Sequence, residues 1–254
     1  MPAPVPSSPS SPHVAGVAIN LSNAQEAVAA AVDDAARGSG FTLFTLNLDH
    51  VVKLRENPDF VAAYRRASYV TADGWPIAWL GNRGGAALER TTGADLIEPI
   101  CAQAAERGVG IYFIGPSAQS QERAFAVLRK KYPGLRIAGA EAPMISLPLD
   151  ASAMDALAAR TRASGCNLCF VSLGAPKQEL VADALFRRCP DIGFLCVGAG
   201  LDFIGGTLKR APQWTQKVGG EWLWRMASEP RRLTGRYAKC AVAFADLAIR
   251  NPGP

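Results

Sequence analysis

The stretch LCFVSLGAPKQELVADALFRR at residues 168–188 contains the two kinds of element from which most of the chain is built. Its opening run, Leu168 to Leu173, is short and largely apolar, which is typical of a strand buried on both faces. Gly174 and Pro176 interrupt the run, and residues 177–188 then have the pattern of a helix. Another apolar run, residues 192–197, predicts a further strand of the same sheet.

The same alternation of short apolar strands and helices extends towards both ends of the chain. Because strands separated by helices form parallel sheets, the pattern predicts an α/β fold with a Rossmann-like, mainly parallel sheet covered by helices on both faces. The other predicted strands are residues 41–47, 68–71, 109–114 and 135–138. The other predicted helices are residues 23–37, 49–64 (in part a loop), 95–107, 117–131 and 151–163.

The two ends of the chain differ in composition from this α/β region. Residues 1–15 are rich in proline and serine and are predicted to form a disordered tail. Residues 16–207 form the predicted catalytic domain, and residues 208–254 are predicted to form a basic, aromatic helical appendage. No run of about 20 apolar residues occurs, so we predict no transmembrane helix and only peripheral membrane contact.

The bulk composition favours a folded protein with an anionic partner. Hydrophobic residues make up 49% and charged residues 19% of the 254 residues, which excludes global disorder. The 27 lysines and arginines exceed the 22 aspartates and glutamates, which favours a nucleotide, a membrane surface or a nucleic acid as partner. The six cysteines lie in apolar stretches, so we predict buried thiols in a reducing cytoplasm rather than disulfides or metal ligands.

Ligands of open parallel sheets bind at the carboxyl ends of the strands, where this chain carries polar residues. Thr45 and Asn47 end one predicted strand, and Asp73 follows the next. A carboxylate there fits a general base for a sugar hydroxyl, and the alternative is a cap of the following helix or turn. Glycines after later strands allow backbone N–H groups to approach phosphate oxygens. They are Gly174, Gly198 and Gly200.

Residues beside these glycines fit a nucleotide site. Lys177, Gln178 and Glu179 stand in the first turn of a predicted helix, where they could bind a nucleotide or simply face solvent. Asp202 could contact a ribose or cap a helix. Phe203 stands where a dinucleotide-binding fingerprint has its third glycine, so a conventional NAD site is disfavoured.

The appendage interleaves basic and aromatic residues. Arginines suit diphosphates, and tryptophan and tyrosine suit the edge of a bilayer. Nucleic-acid-binding surfaces have similar ingredients, and tryptophans also pack appendages onto cores. Two interpretations therefore stay open here: a nucleic-acid-binding module, and a nicotinamide- or flavin-dependent oxidoreductase on the same kind of sheet.

Seven motifs, in order, make the chain similar to the WecG/TagA/CpsF family, glycosyltransferase family 26. They are Thr45-x-Asn47, Ala72-Asp-Gly74, Arg90-Thr-Thr-Gly-Ala-Asp-Leu96, Gly174-Ala-Pro-Lys-Gln-Glu179, Val197-Gly-x-Gly-x-Asp-Phe203, Lys209-Arg-Ala-Pro212, and Glu221-Trp-Leu-Trp-Arg225 with Glu229-Pro-Arg-Arg232 and Arg236-Tyr237.

The resemblance implies an inverting transfer that uses no metal or other cofactor. A sugar would move from a UDP-sugar to an undecaprenyl-diphosphate-linked saccharide at the inner face of the cytoplasmic membrane, with no nucleic acid involved and homo-oligomerisation left open. Asp73 would be the base, with Thr45 and Asn47 beside it as catalytic residues. The implied substrate-binding residues are Arg90, Gly174, Lys177, Gln178, Glu179, Gly198, Gly200, Asp202, Arg225, Arg231, Arg232 and Arg236.

Two segments depart from the commonest pattern of this family. Trp75-Pro-Ile-Ala-Trp79 and Gly139-Ala-Glu-Ala-Pro143 both look more like the exopolysaccharide branch, which includes GumM-like glucuronosyltransferases. The resemblance therefore leaves the transferred sugar undecided.

Overall fold

The fold was analysed in a computed structural model that describes residues 11–211, 224 and 230–250. The strands are β1 (His13–Val14), β2 (Val17–Ala18), β3 (Thr42–Leu46), β4 (Tyr69–Ala72), β5 (Gly110–Ile114), β6 (Arg136–Glu141), β7 (Leu168–Val171) and β8 (Gly193–Cys196). The helices are α1 (Ala24–Ala36), α2 (Leu48–Glu56), α3 (Pro58–Arg66), α4 (Trp75–Asn82), α5 (Gly93–Arg107), α6 (Ala118–Lys131), α7 (Ala151–Ala163), α8 (Lys177–Phe186), α9 (Gly200–Ile204) and α10 (Pro230–Arg250).

A six-stranded parallel sheet with the order β4-β3-β8-β7-β5-β6 forms the centre of the molecule. Strands β3, β5, β7 and β8 are buried along their whole length, as expected for apolar strands covered on both faces. One face packs against α1, α5, α6 and α9, and the other against α2, α3, α4, α7, α8 and α10. The predicted α/β fold with a Rossmann-like sheet is therefore confirmed.

The strand order places a crevice between β3 and β8. The chain leaves β3 into α2 on one face of the sheet and leaves β8 into α9 on the other. Adjacent parallel strands whose following helices lie on opposite faces form a topological switch point, where open α/β sheets bind their ligands. A ligand site is therefore expected at the carboxyl ends of β3 and β8.

Ordered structure begins earlier than the predicted boundary at residue 16. Strand β1 pairs with β2 in an antiparallel hairpin, so residues 13–15 do not belong to a disordered tail. The reason is the apolar pattern of this segment, because Val14 and Ile19 are buried in the core. The turn at Ala15 and Gly16 has positive φ angles of 53° and 78°.

The loop and helix predicted over residues 49–64 are two helices, α2 and α3. Asn57 separates them and caps α3 by accepting the backbone N–H of Phe60 over 3.0 Å, and Pro58 begins the helix without needing an N–H partner. Helix α4 was not predicted, since its sequence, WPIAWLGN, is short and lacks the period of an amphipathic helix.

The described part of the predicted appendage is mainly α10, which packs against α2 and α4. Ala243 and Leu247 of this helix are buried in the core cluster on that face of the sheet. Of the described helices, none combines the length and the apolar character that a membrane span requires. All six cysteines are buried free thiols, as predicted.

Candidate active site

A cavity of about 680 Å³ opens at the carboxyl ends of β3, β4, β7 and β8. Its wall on one side is formed by Thr45, Asn47 and Asp73, and on the other by Gly174, Gln178 and the loop after β8. Helix α10 covers part of the opening with Arg236, Tyr237 and Phe244. The cavity therefore lies at the switch point and joins the sheet to the C-terminal helix.

The three predicted catalytic residues meet at the mouth of this cavity. In the parallel pair of β3 and β4, Leu46 stands opposite Ala72, so the residues that follow them, Asn47 and Asp73, are neighbours. Asp73 Oδ2 accepts from Asn47 Nδ2 over 3.2 Å and from Thr45 Oγ1 over 3.4 Å. The backbone N–H of Asp73 donates to the Leu46 carbonyl over 2.8 Å. Side-chain and backbone contacts thus fix the carboxylate in one position.

Of the helices that the structure describes, five begin at the cavity wall: α2, α4, α5, α8 and α9. The positive ends of their dipoles make the cavity favourable for a polyanion. Asn47 and Thr92 cap α2 and α5 with their own side chains. Among the described helix caps at this wall, Gly74, Pro176 and Ala199 make no such side-chain hydrogen bond.

Two arginines stand beside the N-terminus of α5, and Asp95 binds both. Asp95 Oδ1 lies 2.5 Å from a guanidinium nitrogen of Arg210, and Asp95 Oδ2 lies 3.2 Å from one of Arg90. Thr92 Oγ1 also donates to this carboxylate over 2.8 Å. Arg90 was predicted as a substrate-binding residue, whereas Arg210 and Asp95 were not, although both belong to motifs noted in the sequence.

A third arginine reaches the cavity from α10. Arg236 Nε lies 3.0 Å from Asp49 Oδ1, and Arg236 was also predicted from the sequence. In the part of the chain that the structure describes, no group of three or more histidine, cysteine or acidic residues is arranged to hold a metal ion. Arg90, Arg210 and Arg236 thus place three guanidinium groups along the cavity lining.

A buried polar network lies behind the cavity wall. Gln178 Nε2 donates to Glu179 Oε1 over 2.6 Å, and Gln178 Oε1 accepts the backbone N–H of Gly198 over 3.0 Å. His50 Nε2 lies 3.8 Å from the same Glu179 oxygen, and His50 Nδ1 lies 2.7 Å from the Tyr64 hydroxyl. Burial raises the pKa of Glu179 to about 7 and lowers the pKa of His50 to about 3.

Four predicted substrate-binding residues do not line this cavity. Lys177 Nζ donates to the Ile145 carbonyl over 2.7 Å, and Glu179 is fully buried. A Cβ atom at Gly200 would lie 2.4 Å from Ile97, so this glycine allows α9 to pack on α5. Asp202 Oδ1 accepts from Ser120 Oγ over 2.6 Å and from Thr207 Oγ1 over 3.0 Å.

The remaining predicted arginines fall where the structure gives no side-chain contacts. Arg225 lies outside the described residues, and the side chains of Arg231 and Arg232 are likewise outside the description. Gly174 and Gly198, in contrast, line the cavity, with φ angles of 71° and 56° in the left-handed region that favours glycine.

Exposed aromatic side chains stand at the rim of the cavity, and the sequence did not single them out as a cluster. The indoles of Trp75 and Trp79 stack with their centroids 5.9 Å apart, and Phe244 of α10 packs against both. The Arg83 guanidinium lies 4.8 Å from the centre of the Trp79 ring. Trp75 is 52% exposed and also lines the cavity, so the rim is continuous with the site.

The sequence of the chain is similar to that of a known protein family. The family model described as "Glycosyl transferase WecG/TagA/CpsF family" matches residues 12–252, which is nearly the whole chain. The match confirms the resemblance carried by the seven motifs. It also favours sugar transfer over the oxidoreductase and the nucleic-acid-binding module.

Proposed function

We propose a donor, an acceptor and a mechanism for this chain, which belongs to the WecG/TagA/CpsF family of glycosyltransferases and so acts in the synthesis of cell-surface polysaccharide. The donor is a UDP-sugar, and the acceptor is a saccharide linked to undecaprenyl diphosphate. The enzyme works as a peripheral protein at the inner face of the cytoplasmic membrane. The transfer inverts the anomeric centre and needs no metal ion.

The single observation that supports this proposal most directly is that the side chains of Thr45 and Asn47 both donate hydrogen bonds to the Asp73 carboxylate. A general base must keep its carboxylate in reach of the hydroxyl that it deprotonates, and two fixed donors achieve this. The proton moves from the acceptor hydroxyl to Asp73, the hydroxyl oxygen bonds to the anomeric carbon, and the bond from that carbon to UDP breaks. One displacement of this kind inverts the anomeric configuration.

The leaving UDP carries away a pair of electrons, so its diphosphate needs positive charge around it. Arg90 and Arg210 supply guanidinium groups at the N-terminus of α5, and Arg236 supplies another from α10. Preorganised donors of this kind stabilise charge that develops in a transition state. The three guanidinium groups support a mechanism in which arginine side chains stabilise the negative charge of the leaving diphosphate, the role that a divalent cation has in other transferases.

The acceptor's lipid is proposed to approach over the aromatic rim. Exposed tryptophan side chains suit the interface between a bilayer and water. Trp75 is exposed and also lines the cavity, so it connects this interface with the site. The excess of basic residues favours attraction to an anionic membrane surface. These features support peripheral attachment and a lipid-held acceptor.

A screen of UDP-sugars for UDP release, with a short-chain polyprenyl-diphosphate acceptor, tests the proposal. We expect one UDP-sugar to be consumed only when the acceptor is present, with a product of inverted anomeric configuration by NMR. Undiminished turnover in excess EDTA is expected for a metal-independent transfer. Activity with GDP- or CDP-sugars alone would contradict the donor assignment, and retention of configuration would contradict the mechanism.

A further inference from the structure

We propose that Glu179 is a positioning residue, which acts through Gln178 to fix the cavity floor, defined as Val197, Gly198 and Ala199. The proposal deepens the proposed function, since it rests on the UDP-sugar donor. Glu179 is fully buried and does not touch the cavity, whereas its neighbour Gln178 lines it. The carboxylate must therefore act through other residues and not by contact with substrate.

The first step of the relay sets the direction of the Gln178 amide. A glutamine amide can turn over, which exchanges its oxygen and its NH₂ group. The Gly198 N–H can only donate, and the Glu179 carboxylate, the main form above its pKa of about 7, can only accept. Both are therefore satisfied in one orientation of the amide alone. That orientation is the one observed, with Nε2 towards Glu179 at 2.6 Å and Oε1 towards Gly198 at 3.0 Å.

The second step of the relay fixes the backbone of the cavity floor at Gly198. The Gly198 carbonyl accepts from the Ser172 hydroxyl, so both backbone groups of this glycine bind side chains from other elements. A Cβ atom at Gly93 would lie 2.8 Å from the Cα atom of Val197, which brings the start of α5 against the floor. A shift of the Gln178 amide would therefore release the loop that faces the diphosphate-binding side of the cavity.

Stability alone does not account for a carboxylate at this position. Glu179 Oε2 is buried and has no hydrogen-bond partner among the described residues, and His50 Nε2, at 3.8 Å from Oε1, is too far for a hydrogen bond. A buried carboxylate with an unpaired oxygen carries a desolvation cost, which offsets much of the stability gained from its one hydrogen bond. A role in fixing Gln178 explains why an acceptor is present where an apolar side chain would pack as well.

Helix α8 offers a matched control one turn further on. Asp183 is also a buried carboxylate, and it forms a two-pronged ion pair with Arg66 over 2.8 and 2.9 Å. It lies outside the cavity lining, so Asp183→Asn removes a buried charge from the same helix without disturbing Gln178.

The test measures UDP binding by calorimetry and thermal unfolding on the full chain. Glu179→Leu is expected to weaken UDP binding about tenfold or more, because Gln178 loses the acceptor that orients it. Its effect on the Tm is expected to be small, because removal of the desolvated charge and loss of the hydrogen bond act in opposite directions. Glu179→Gln keeps an oxygen that can accept from Gln178 and is expected to restore most of the affinity. Asp183→Asn should lower the Tm and leave the UDP affinity unchanged.

Hydrogen exchange at the floor supplies a second readout. The amide of Gly198 is expected to exchange faster in Glu179→Leu and at the wild-type rate in Asp183→Asn. If Glu179→Leu fails to fold, Glu179→Asp, which withdraws the carboxylate by one methylene, carries the same expectations for UDP affinity and for exchange at Gly198. Unchanged UDP affinity in the folded Glu179 variant would overturn the positioning role, whereas a wild-type protein that does not bind UDP would overturn the proposed donor instead.

Discussion

Asn47 Nδ2 donates to Asp73 Oδ2 over 3.2 Å, while Asn47 Oδ1 accepts the backbone N–H of His50 over 3.0 Å. One amide therefore caps helix α2 and holds the proposed base. The two contacts use opposite ends of the side chain, so the cap fixes the end that faces Asp73.

Asn47→Ala removes both contacts, and Asn57→Ala removes only a cap. Asn57 caps α3 by the same 3.0 Å contact but lies away from the cavity. Loss of either cap is expected to cost about 1 kcal/mol of stability. Only Asn47→Ala should also reduce kcat, by about tenfold or more, because a hydrogen bond to the charged carboxylate of the base is lost. Equal activity of the two variants, measured by UDP release, would show that Asn47 is merely a cap.

Asp73→Asn is expected to lower kcat by about two to four orders of magnitude, since an amide cannot take the acceptor's proton. UDP should still bind with nearly wild-type affinity, because the proposed role of Asp73 concerns the acceptor. Turnover with a saturating donor and lipid acceptor is the measurement, with UDP calorimetry as the check on folding. A kcat within a few-fold of wild type would remove Asp73 from the mechanism.

The convergence of Thr45, Asn47 and Asp73 was predictable because it depends on a simple rule. Parallel strands end at the same edge of a sheet, so residues just after β3 and β4 must lie together. The start of α1 was predictable for a similar reason, since the capping signal of Asn23 is local.

The relations that the sequence did not disclose are those set by packing between distant elements. Glu179 was predicted to meet substrate because it shares a helix turn with Gln178, but α2 and α3 bury it against His50 and Tyr64. A helix turn has an inner and an outer side, and the motif alone does not distinguish them. Arg210 was missed because its partner, Asp95, lies 115 residues away in the chain.

Arg210→Ala is expected to raise the KM for the UDP-sugar about tenfold or more, the usual effect of losing a hydrogen bond to a charged group. Its guanidinium stands at the N-terminus of α5, 2.5 Å from Asp95 and 5.7 Å from the Phe203 ring. Arg107→Ala is the matched control, because Arg107 pairs with an aspartate, Asp33, in an exposed ion pair outside the cavity.

Kinetics with varied donor and a saturating acceptor compare these two arginine variants. Arg107→Ala should leave the KM for the donor unchanged and cost little stability, as exposed ion pairs do. A normal donor KM in Arg210→Ala, or an equal rise in both variants, would count against Arg210 as part of the diphosphate site.

The pH dependence of stability gives a test that needs neither substrate. Burial raises the pKa of Glu179 from 4.5 to about 7, so the folded protein binds this proton more tightly than the unfolded chain does. The carboxyl group therefore favours folding below about pH 4.5, and this contribution is lost as the pH rises towards 7. Over this pH range, the free energy of unfolding falls by about 3 kcal/mol through the ionisation of Glu179. His50, with its pKa lowered to about 3, acts in the opposite sense, since its contribution is lost as the pH falls below about 6.5.

Glu179→Gln isolates the carboxyl contribution, because His50 is common to both proteins. The variant should match the wild type near pH 4.5, become progressively more stable than it up to pH 7, and hold that advantage above pH 7. Denaturant unfolding at closely spaced pH values measures the difference. A difference between Glu179→Gln and wild type that stays constant from pH 4.5 to 8 would mean that Glu179 has the same pKa in the folded and the unfolded chain, and would contradict a desolvated carboxylate behind Gln178.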